Sequence, residues 1–220
     1  MRIVIAGGHG KIALILERLL LQRGDSAAGF IRNPDHAADL QAAGAHALVV
    51  DLEQASVDEV ASHLDGADGV VFAAGAGPGS GAARKETVDR DAAILLADAA
   101  EAAKVRRYVM ISGIGADANA PHTRDDVFTA YLRAKGAADD NVRAREGLDS
   151  TIVRPGHLTN DSGTGRVTVA SRTGRGDIPR EDVAAVLLAI LDTPVTAGLT
   201  FEVISGDTPI ADAVTTSSRE

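Results

Sequence analysis

The sequence predicts an α/β fold in which a doubly wound parallel sheet carries helices on both faces. Short β-branched runs alternate with longer alanine-rich stretches of helical period, which is typical of repeated βα units. Most of the runs are apolar throughout, so both faces of each strand are expected to be buried. Aromatic residues make up only 3% of the chain and tryptophan is absent. The core is therefore expected to consist of Ala, Val, Leu and Ile.

Local signals place the first elements along the chain. Gly24 is expected to be the left-handed C-cap of the first helix, and Asn33-Pro34 to be the N-cap and N1 residues of the second. Gly75–Gly81 is expected to be a flexible loop. The predicted strands are Ile3–Ala6, Ala27–Ile31, Ala47–Val50, Gly69–Ala73, Arg107–Ser112 and Ser150–Val153, and the predicted helices lie near 11–23, 34–43, 54–63, 83–103 and 128–146.

The pattern loosens in the last third of the chain. We expect residues 1–220 to form a single domain, in which 155–220 are a small substrate-side extension that does not fold independently. The elements predicted there are a strand at Val167–Ala170, a helix at Arg180–Leu191, a strand at Thr200–Ile204 and an exposed polar tail at Thr215–Glu220.

Composition excludes several classes of function. The net charge of −9 disfavours nucleic-acid binding, which needs clustered Lys and Arg. The absence of cysteine excludes disulfides, thiolate metal sites and cysteine nucleophiles, and we expect no metal. No apolar run is long enough to span a membrane, and a strand that begins at residue 3 leaves no room for a signal peptide. We expect a cytoplasmic monomer or homodimer that binds a small molecule.

A glycine loop follows the first predicted strand. Gly7, Gly8, His9 and Gly10 lead directly into a helix that starts with Lys11 and Ile12. Glycines let a pyrophosphate approach the backbone, and the helix N-terminus offers it free N–H groups. An ordinary glycine-rich turn would explain the glycines, but not the strand before them and the helix after them. The loop therefore indicates a dinucleotide site of the Rossmann type.

The end of the second predicted strand favours NADP(H) over NAD(H). An NAD site usually carries an acid there to hold the ribose 2′-hydroxyl, whereas this chain has Arg32. A guanidinium suits a 2′-phosphate, although an exposed loop arginine remains the alternative. The next two strand ends are expected beside the adenine and the cofactor, and they carry Asp51, Leu52, Ala73, Ala74 and Gly75.

Three residues are candidates for chemistry. Ser112 ends the fifth predicted strand at the sheet edge that carries the glycine loop, and Tyr131 and Lys135 share a helix face at i and i+4. A neighbouring ammonium is expected to lower the pKa of the phenol, so that Tyr131 moves a proton while Ser112 bonds the substrate oxygen. The alternative is that Tyr131 only packs the helix and Lys135 binds the cofactor ribose.

Together these residues resemble the atypical members of the short-chain dehydrogenase/reductase superfamily, the NAD(P)H-binding, NmrA-like and NAD-dependent epimerase/dehydratase-like group. The resemblance includes the glycine loop, the Asp68–Gly75 and Ile178–Ala184 stretches and Arg154-Pro155-Gly156-His157-Leu158. It implies that Ser112, Tyr131 and Lys135 occupy the catalytic positions, and that Pro155, Gly156, His157 and Leu158 lie near the nicotinamide. One position departs from the pattern, because Asp89 stands where extended members of the superfamily carry an active-site asparagine.

Three functions remain open at this point. The first is an NADPH-dependent oxidoreductase that acts on a small carbonyl, quinone or flavin-like acceptor. The second is a non-catalytic protein that senses NADP(H) and contacts a protein partner. The third is a nucleotide-sugar epimerase or dehydratase, which is disfavoured because few residues follow Pro155 to enclose a nucleotide and a sugar.

Overall fold

The structure, a computed structural model, describes residues 1–77 and 79–216. The strands are β1 (Arg2–Ala6), β2 (Ser26–Ile31), β3 (Ala45–Val49), β4 (Gly69–Phe72), β5 (Arg107–Ile111), β6 (Asp149–Pro155), β7 (His157–Thr159), β8 (Arg166–Ala170), β9 (Asp177–Pro179), β10 (Thr200–Ser205) and β11 (Thr208–Pro209). The α-helices are α1 (Lys11–Arg23), α2 (Ala37–Ala42), α3 (Val57–Ser62), α4 (Gly81–Arg84), α5 (Ala92–Ala102), α6 (Asp126–Arg143), α7 (Arg180–Leu191) and α8 (Ile210–Thr216).

A nine-stranded sheet forms the centre of this part of the chain, in the order β11-β8-β10-β6-β5-β4-β1-β2-β3. The seven strands from β10 to β3 are mutually parallel, while β8 and β11 pair antiparallel at one edge. The strand order reverses between β1 and β4, and the carboxyl ends of these strands border a crevice there. The predicted Rossmann-type fold is thereby confirmed.

Two apolar layers cover the two faces of the sheet. Alternate residues of β1 serve them, since Ile3 and Ile5 face the layer of α1 and α7 while Val4 and Ala6 face the layer of α3, α5 and α6. The largest fully buried side chains include only two Phe and one Tyr among Leu, Ile and Met. The core is thus largely aliphatic, as the composition predicts.

The predicted helix ends are confirmed at both capped positions. Gly24 has φ 87° and caps α1, and the Asn33 side chain accepts a hydrogen bond from Asp35 N at the start of a 3₁₀ turn that leads into α2. The prediction of one regular helix over 83–103 is wrong. It consists of α4, a π-helical segment at Lys85–Asp91 and α5. A π-helical segment turns different side chains inward than an α-helix would, and such segments are frequent at functional sites.

The C-terminal third contributes to the core and also forms a separate pair of short strands. β10 extends the main sheet beside β6, while β7 and β9 form a separate two-stranded pair. The polar tail predicted from Thr215 is wrong at its start, because Thr215 and Thr216 end α8, and residues 217–220 lie outside the described part of the chain. In the described residues no helix is both long enough and apolar enough to cross a membrane.

Glu17 is a carboxyl group buried under α1 without a partner. It is fully inaccessible, neither of its oxygens has a hydrogen bond, and Oε1 packs over Gly29 of β2. Burial raises the pKa of Glu17 from 4.5 to about 8, although the neighbouring charge of Arg18 opposes the shift. The folded protein therefore holds a proton that the unfolded chain releases.

We predict that Glu17→Gln abolishes the loss of stability that ionisation of Glu17 causes in the wild type as pH rises. Between pH 4.5 and 8 the folded wild type binds one more proton than the unfolded chain, so its free energy of unfolding falls as pH rises through that range. The advantage of Glu17→Gln over wild type should grow by about 3 kcal/mol from pH 5 to pH 8 in urea unfolding. The exposed Glu86→Gln variant is the control, and equal pH slopes for Glu17→Gln and wild type would contradict the assignment.

Candidate functional site

The glycine loop lies directly on the neighbouring strand ends. Gly7 has φ +80°, and a Cβ there would sit 2.6 Å from the Cα of Ala74, just after β4. A Cβ on Gly8 would sit 2.7 Å from the Cα of Gly29 in β2. Side chains are therefore excluded at both positions, and the exposed backbone forms a shallow cradle at the point where the strand order reverses.

The N-terminus of α1 is uncapped and opens onto this cradle. Its N-cap, Gly10, makes no side-chain cap, and the first turn carries no acidic residue. The first backbone bond of the helix runs from Leu14 N to Gly10 O at 2.9 Å, so the N–H groups of Lys11, Ile12 and Ala13 have no acceptor within the helix. Free donors and the helix dipole suit a pyrophosphate, so the residues present fit a dinucleotide.

The side chains of the loop point away from the cradle. His9 Nε2 lies 2.7 Å from Asp39 Oδ2 of α2, and its ring stacks on His36 with the centroids 3.6 Å apart. Lys11 Nζ donates to Asn160 Oδ1 at 3.2 Å, and Ile12 is buried in the core. These predicted binding residues therefore offer backbone groups rather than side chains to a phosphate.

A cavity of about 190 Å³ continues from the cradle across the ends of β2, β3 and β4. Five of the residues predicted from strand ends meet in its wall. Ala73, predicted with them, lies between the end of β4 and Ala74. Phe30 and Val88 supply apolar surface there. The predicted residues in this wall are Arg32, Asp51, Leu52, Ala74 and Gly75.

Glu53 joins two arginines at the rim of this cavity. Its Oε2 lies 3.2 Å from Arg32 NH1 and 2.5 Å from Arg84 NH2, and its Oε1 accepts from Thr87 Oγ1 at 2.7 Å. The hydrogen bond from Arg84 holds the pKa of Glu53 below its usual value. Arg32 is 56% exposed, so its guanidinium is accessible to an anion at the rim. The rim therefore carries two cations paired to one carboxylate, and Asp51 adds a second carboxylate to the cavity wall.

Helix α6 brings Tyr131 and Lys135 to the same sheet edge. The Asp125 side chain caps the helix by accepting from Val127 N and Phe128 N. Gly136 lets the helix lie directly on the loop after β5, because a Cβ there would overlap the backbone at Asp117 and Ala118. This close packing places Lys135 under the ends of β4 and β5.

Three acceptors surround the Lys135 ammonium. Nζ lies 3.3 Å from Asp89 Oδ1, 3.1 Å from Ile111 O and 3.5 Å from Ala74 O, and the side chain is 5% exposed. Asp89 comes from the π-helical segment, is itself buried, and its Oδ2 accepts from Ala76 N at 3.2 Å. The two carbonyls accept hydrogen bonds from the ammonium and Asp89 forms an ion pair with it, so Lys135 is already engaged within the chain at the position predicted to contact a ribose.

Ser112 is held by a second buried carboxylate, one helical turn beyond Lys135. Its Oγ donates to Asp139 Oδ2 at 2.9 Å. Arg154 donates to the same oxygen from Nε at 2.9 Å and from NH2 at 2.8 Å. Burial nevertheless raises the pKa of Asp139, and its Oδ1 is buried without a partner. The Ser112 proton is thus committed to Asp139, and Oγ is left as an acceptor.

The phenol of Tyr131 is not activated as the sequence suggests. Desolvation, followed by the charges of Asp89 and Asp139, raises its pKa well above the ordinary value of 10. The expectation that Lys135 lowers this pKa is wrong, because burial of the phenol and the charges of the two nearby carboxylates raise it instead. Lys85 also lies near the ring, with Nζ 5.7 Å from its centroid, and donates to Gly77 O at 2.8 Å.

Tyr131 lines a cavity of about 460 Å³ on the far side of the cradle. Phe128 stacks on it with the centroids 6.0 Å apart. His157 is exposed there and lies 3.4 Å from Asp177, whereas Leu158 packs against the core instead of the cavity. The wall is formed by Gly113, Ile114, Phe128, Tyr131, Pro155, Gly156, His157, Arg175, Gly176 and Asp177.

Sequence reasoning missed several residues of the site. Asp139 continues the four-residue spacing of Tyr131 and Lys135, so helical periodicity offered a signal for it. Glu53 and Arg84 carried no local signal, because their partners lie across the sheet edge. In the described residues no cluster of three or more His, Asp or Glu side chains is arranged to hold a metal ion.

The parts of this chain that are similar to known proteins include the residues that line both cavities. A family model described as NAD(P)H-binding matches residues 7–194. Bacillus subtilis YhfK, described as an uncharacterized sugar epimerase, is 37% identical over 218 residues, which are 97% of this chain and 99% of that protein. A Bacillus halodurans structure, proposed to be an NAD-dependent epimerase/dehydratase, is 37% identical with TM-score 0.88, covering 97% and 98% of the two chains. The oxidoreductase ylbE from Lactococcus lactis is 25% identical with TM-score 0.88, covering 100% and 98%.

We predict that Asp139→Ala destabilises the protein by about 2–4 kcal/mol, because it leaves Arg154 and Ser112 without their shared acceptor. The adjacent Asp140→Ala variant, which loses only an exposed pair with Arg143, should stay within about 0.5 kcal/mol of wild type. Urea unfolding monitored by circular dichroism measures both. Equal stabilities for the two variants would contradict the buried network.

Proposed function

Because the chain belongs to the NAD(P)H-binding family, we propose that it is an NADP(H)-dependent oxidoreductase that reduces a small carbonyl, quinone or flavin-like acceptor. One observation carries the proposal. The glycine cradle and the free N-terminus of α1 lie between a cavity rimmed by arginines and a cavity whose wall holds Tyr131. A dinucleotide that spans the cradle would put its adenosine in the first cavity and its nicotinamide beside the second.

The preference for NADP(H) rests on the rim of the first cavity. β2 is followed by Arg32 instead of an acid, and Arg84 approaches the same point from α4. Glu53 stands between them as the only carboxylate in contact with either arginine among the described residues. A 2′-phosphate carries more charge than Glu53 and accepts bidentate bonds from a guanidinium, so it can displace the carboxylate from Arg32.

The residues around the second cavity divide the work of reduction. A bound reduced nicotinamide supplies a hydride. The hydroxyl of Tyr131 donates a proton to the acceptor, because the raised pKa keeps it protonated at neutral pH. Ser112 accepts a hydrogen bond instead of donating one to the substrate oxygen, since its proton is held by Asp139. Lys135 and Asp89 form a buried ion pair next to these groups.

A non-catalytic NADP(H) sensor is the second candidate. The observation that favours it is that the Lys135 ammonium is already engaged within the chain, by two backbone carbonyls and by the ion pair with Asp89. A sensor would bind NADPH without turnover on any acceptor. The name of one relative favours a third candidate, a sugar epimerase, and a similar structure is named as an epimerase/dehydratase. An epimerase must first take a proton from its substrate, and the neutral Tyr131 is poorly suited to that step.

We predict that Arg32→Ala weakens NADPH binding about tenfold or more while NADH binding changes less than about twofold. The reason is that only NADPH carries the 2′-phosphate. Isothermal titration calorimetry with both nucleotides measures the two ratios, and Arg143→Ala, an exposed arginine of α6, is the control. An equal loss for the two nucleotides would remove Arg32 from phosphate recognition.

We predict that Tyr131→Phe lowers turnover at least about 100-fold and leaves the Kd for NADPH unchanged. The substitution removes the proton donor and retains the ring that packs beside Phe128. Tyr108→Phe makes the same chemical change at a buried tyrosine that bonds Ala93 O outside the site, and it should keep full turnover. Turnover is read as loss of nicotinamide absorbance during an acceptor screen, and an active Tyr131→Phe variant would exclude the proposed role.

A further inference from the structure

Asp89 has a buried contact that the proposed chemistry does not require. Its side chain is 2% exposed and lies 3.3 Å from an ammonium that is 5% exposed. The other oxygen of Asp89 holds Ala76 N at 3.2 Å, which fixes the carboxylate in place. An asparagine would keep the bond from Ala76 and lose the charge. The carboxylate therefore has an electrostatic consequence that an amide would not have.

We propose that Asp89 is a positioning residue that neutralises Lys135 and so keeps Tyr131 in its protonated form, which sets the site to give a proton to an acceptor and not to take one from a donor. The proposal deepens the reductase function and rests on it for its chemistry. The effect of Asp89 on the ionisation of Tyr131 is a property of the cofactor-free chain and does not depend on that function.

The charges around Tyr131 support this assignment. From α6, Lys135 and Asp139 lie one and two turns beyond Tyr131 on the same face. From the π-helical segment, Asp89 cancels Lys135, while the Lys85 ammonium lies over the ring and donates to a backbone carbonyl. Behind Asp139, Arg154 supplies a compensating cation, and the open cavity adds His157, Asp177 and Arg175. The two carboxylates, Asp89 and Asp139, are thus paired with Lys135 and Arg154, while Lys85 is held by a backbone carbonyl.

The acceptor class follows from the same argument. Hydride addition to a carbonyl carbon moves the C=O π electrons onto oxygen, and the phenol O–H bond then breaks to protonate that oxygen. The resulting tyrosinate regains its proton from solvent, so the net reaction consumes one reduced nicotinamide and one proton. An alkoxide is more basic than a tyrosinate, whereas the anions of reduced quinones and flavins are not. A phenol that resists ionisation therefore suits an aldehyde or a ketone.

Phenol ionisation can be read directly in this chain, which contains two tyrosines and no tryptophan. In a Tyr108→Phe background the ultraviolet absorbance of phenolate reports Tyr131 alone. Asp89→Asn should make this absorbance appear at least about one pH unit lower than in the parent, a tenfold or greater gain in acidity, because Lys135 is then unpaired. The exposed Asp91→Asn variant should titrate like the parent. Circular dichroism at each pH reports whether the fold persists.

An unchanged titration in folded Asp89→Asn would overturn the proposal. If Asp89→Asn does not fold, Asp89→Ser takes its place with the same expectation. Turnover supplies an independent readout, since reduction by Asp89→Asn should fail at a lower pH than reduction by the parent, and carbonyl acceptors should depend on Tyr131 more than quinones do. A chain that shifts its titration but turns over no acceptor would refute the reductase function and retain the role of Asp89. Quinone turnover that depends on Tyr131 as strongly as carbonyl turnover would overturn the acceptor class.

Discussion

The candidate site depends on the close approach of three backbone segments at the end of β1. Gly7 lies against Ala74, and Gly8 lies against Gly29, at distances that leave no room for a side chain. This contact brings the N-terminus of α1 to the point where the strand order reverses, with its N–H groups uncapped. The two cavities open on either side of this point. A Cβ at either glycine would force the backbones that meet there apart.

Buried charged side chains determine the electrostatics of the rest of the site. Lys135 and Arg154 each meet one carboxylate, so the charges of two cationic and two acidic side chains oppose each other near Tyr131, and Lys85 beside the ring bonds a backbone carbonyl. A site that carried Lys135 alone would stabilise tyrosinate and favour oxidation. Under the proposed reductase function, the compensation by Asp89 retains the phenol proton and so favours reduction. The same carboxylate ties the loop after β4 to the π-helical segment, so geometry and electrostatics are coupled there.

The sequence predicted the fold and the strand-end residues because both follow from local patterns. Glycine spacing, apolar strands and helical period are readable over a few residues, and the predicted bounds of Arg180–Leu191 match α7. The ionisation of Tyr131 was not predictable in this way. It depends on burial of the phenol and on Asp89, which lies 46 positions from Lys135 and comes from the π-helical Lys85–Asp91 segment. The pairing of Arg32 with Glu53 likewise requires β2 and β3 to be adjacent.

The central claim is that the cradle between Gly7 and Gly10 binds a nicotinamide dinucleotide through its pyrophosphate and prefers the form with a 2′-phosphate. Isothermal titration calorimetry of the wild-type chain with NADPH and NADH tests this most directly. We predict one site per chain and an NADPH affinity at least about tenfold above that for NADH. Tighter binding of NADH, or no heat of binding with either nucleotide, would contradict the claim.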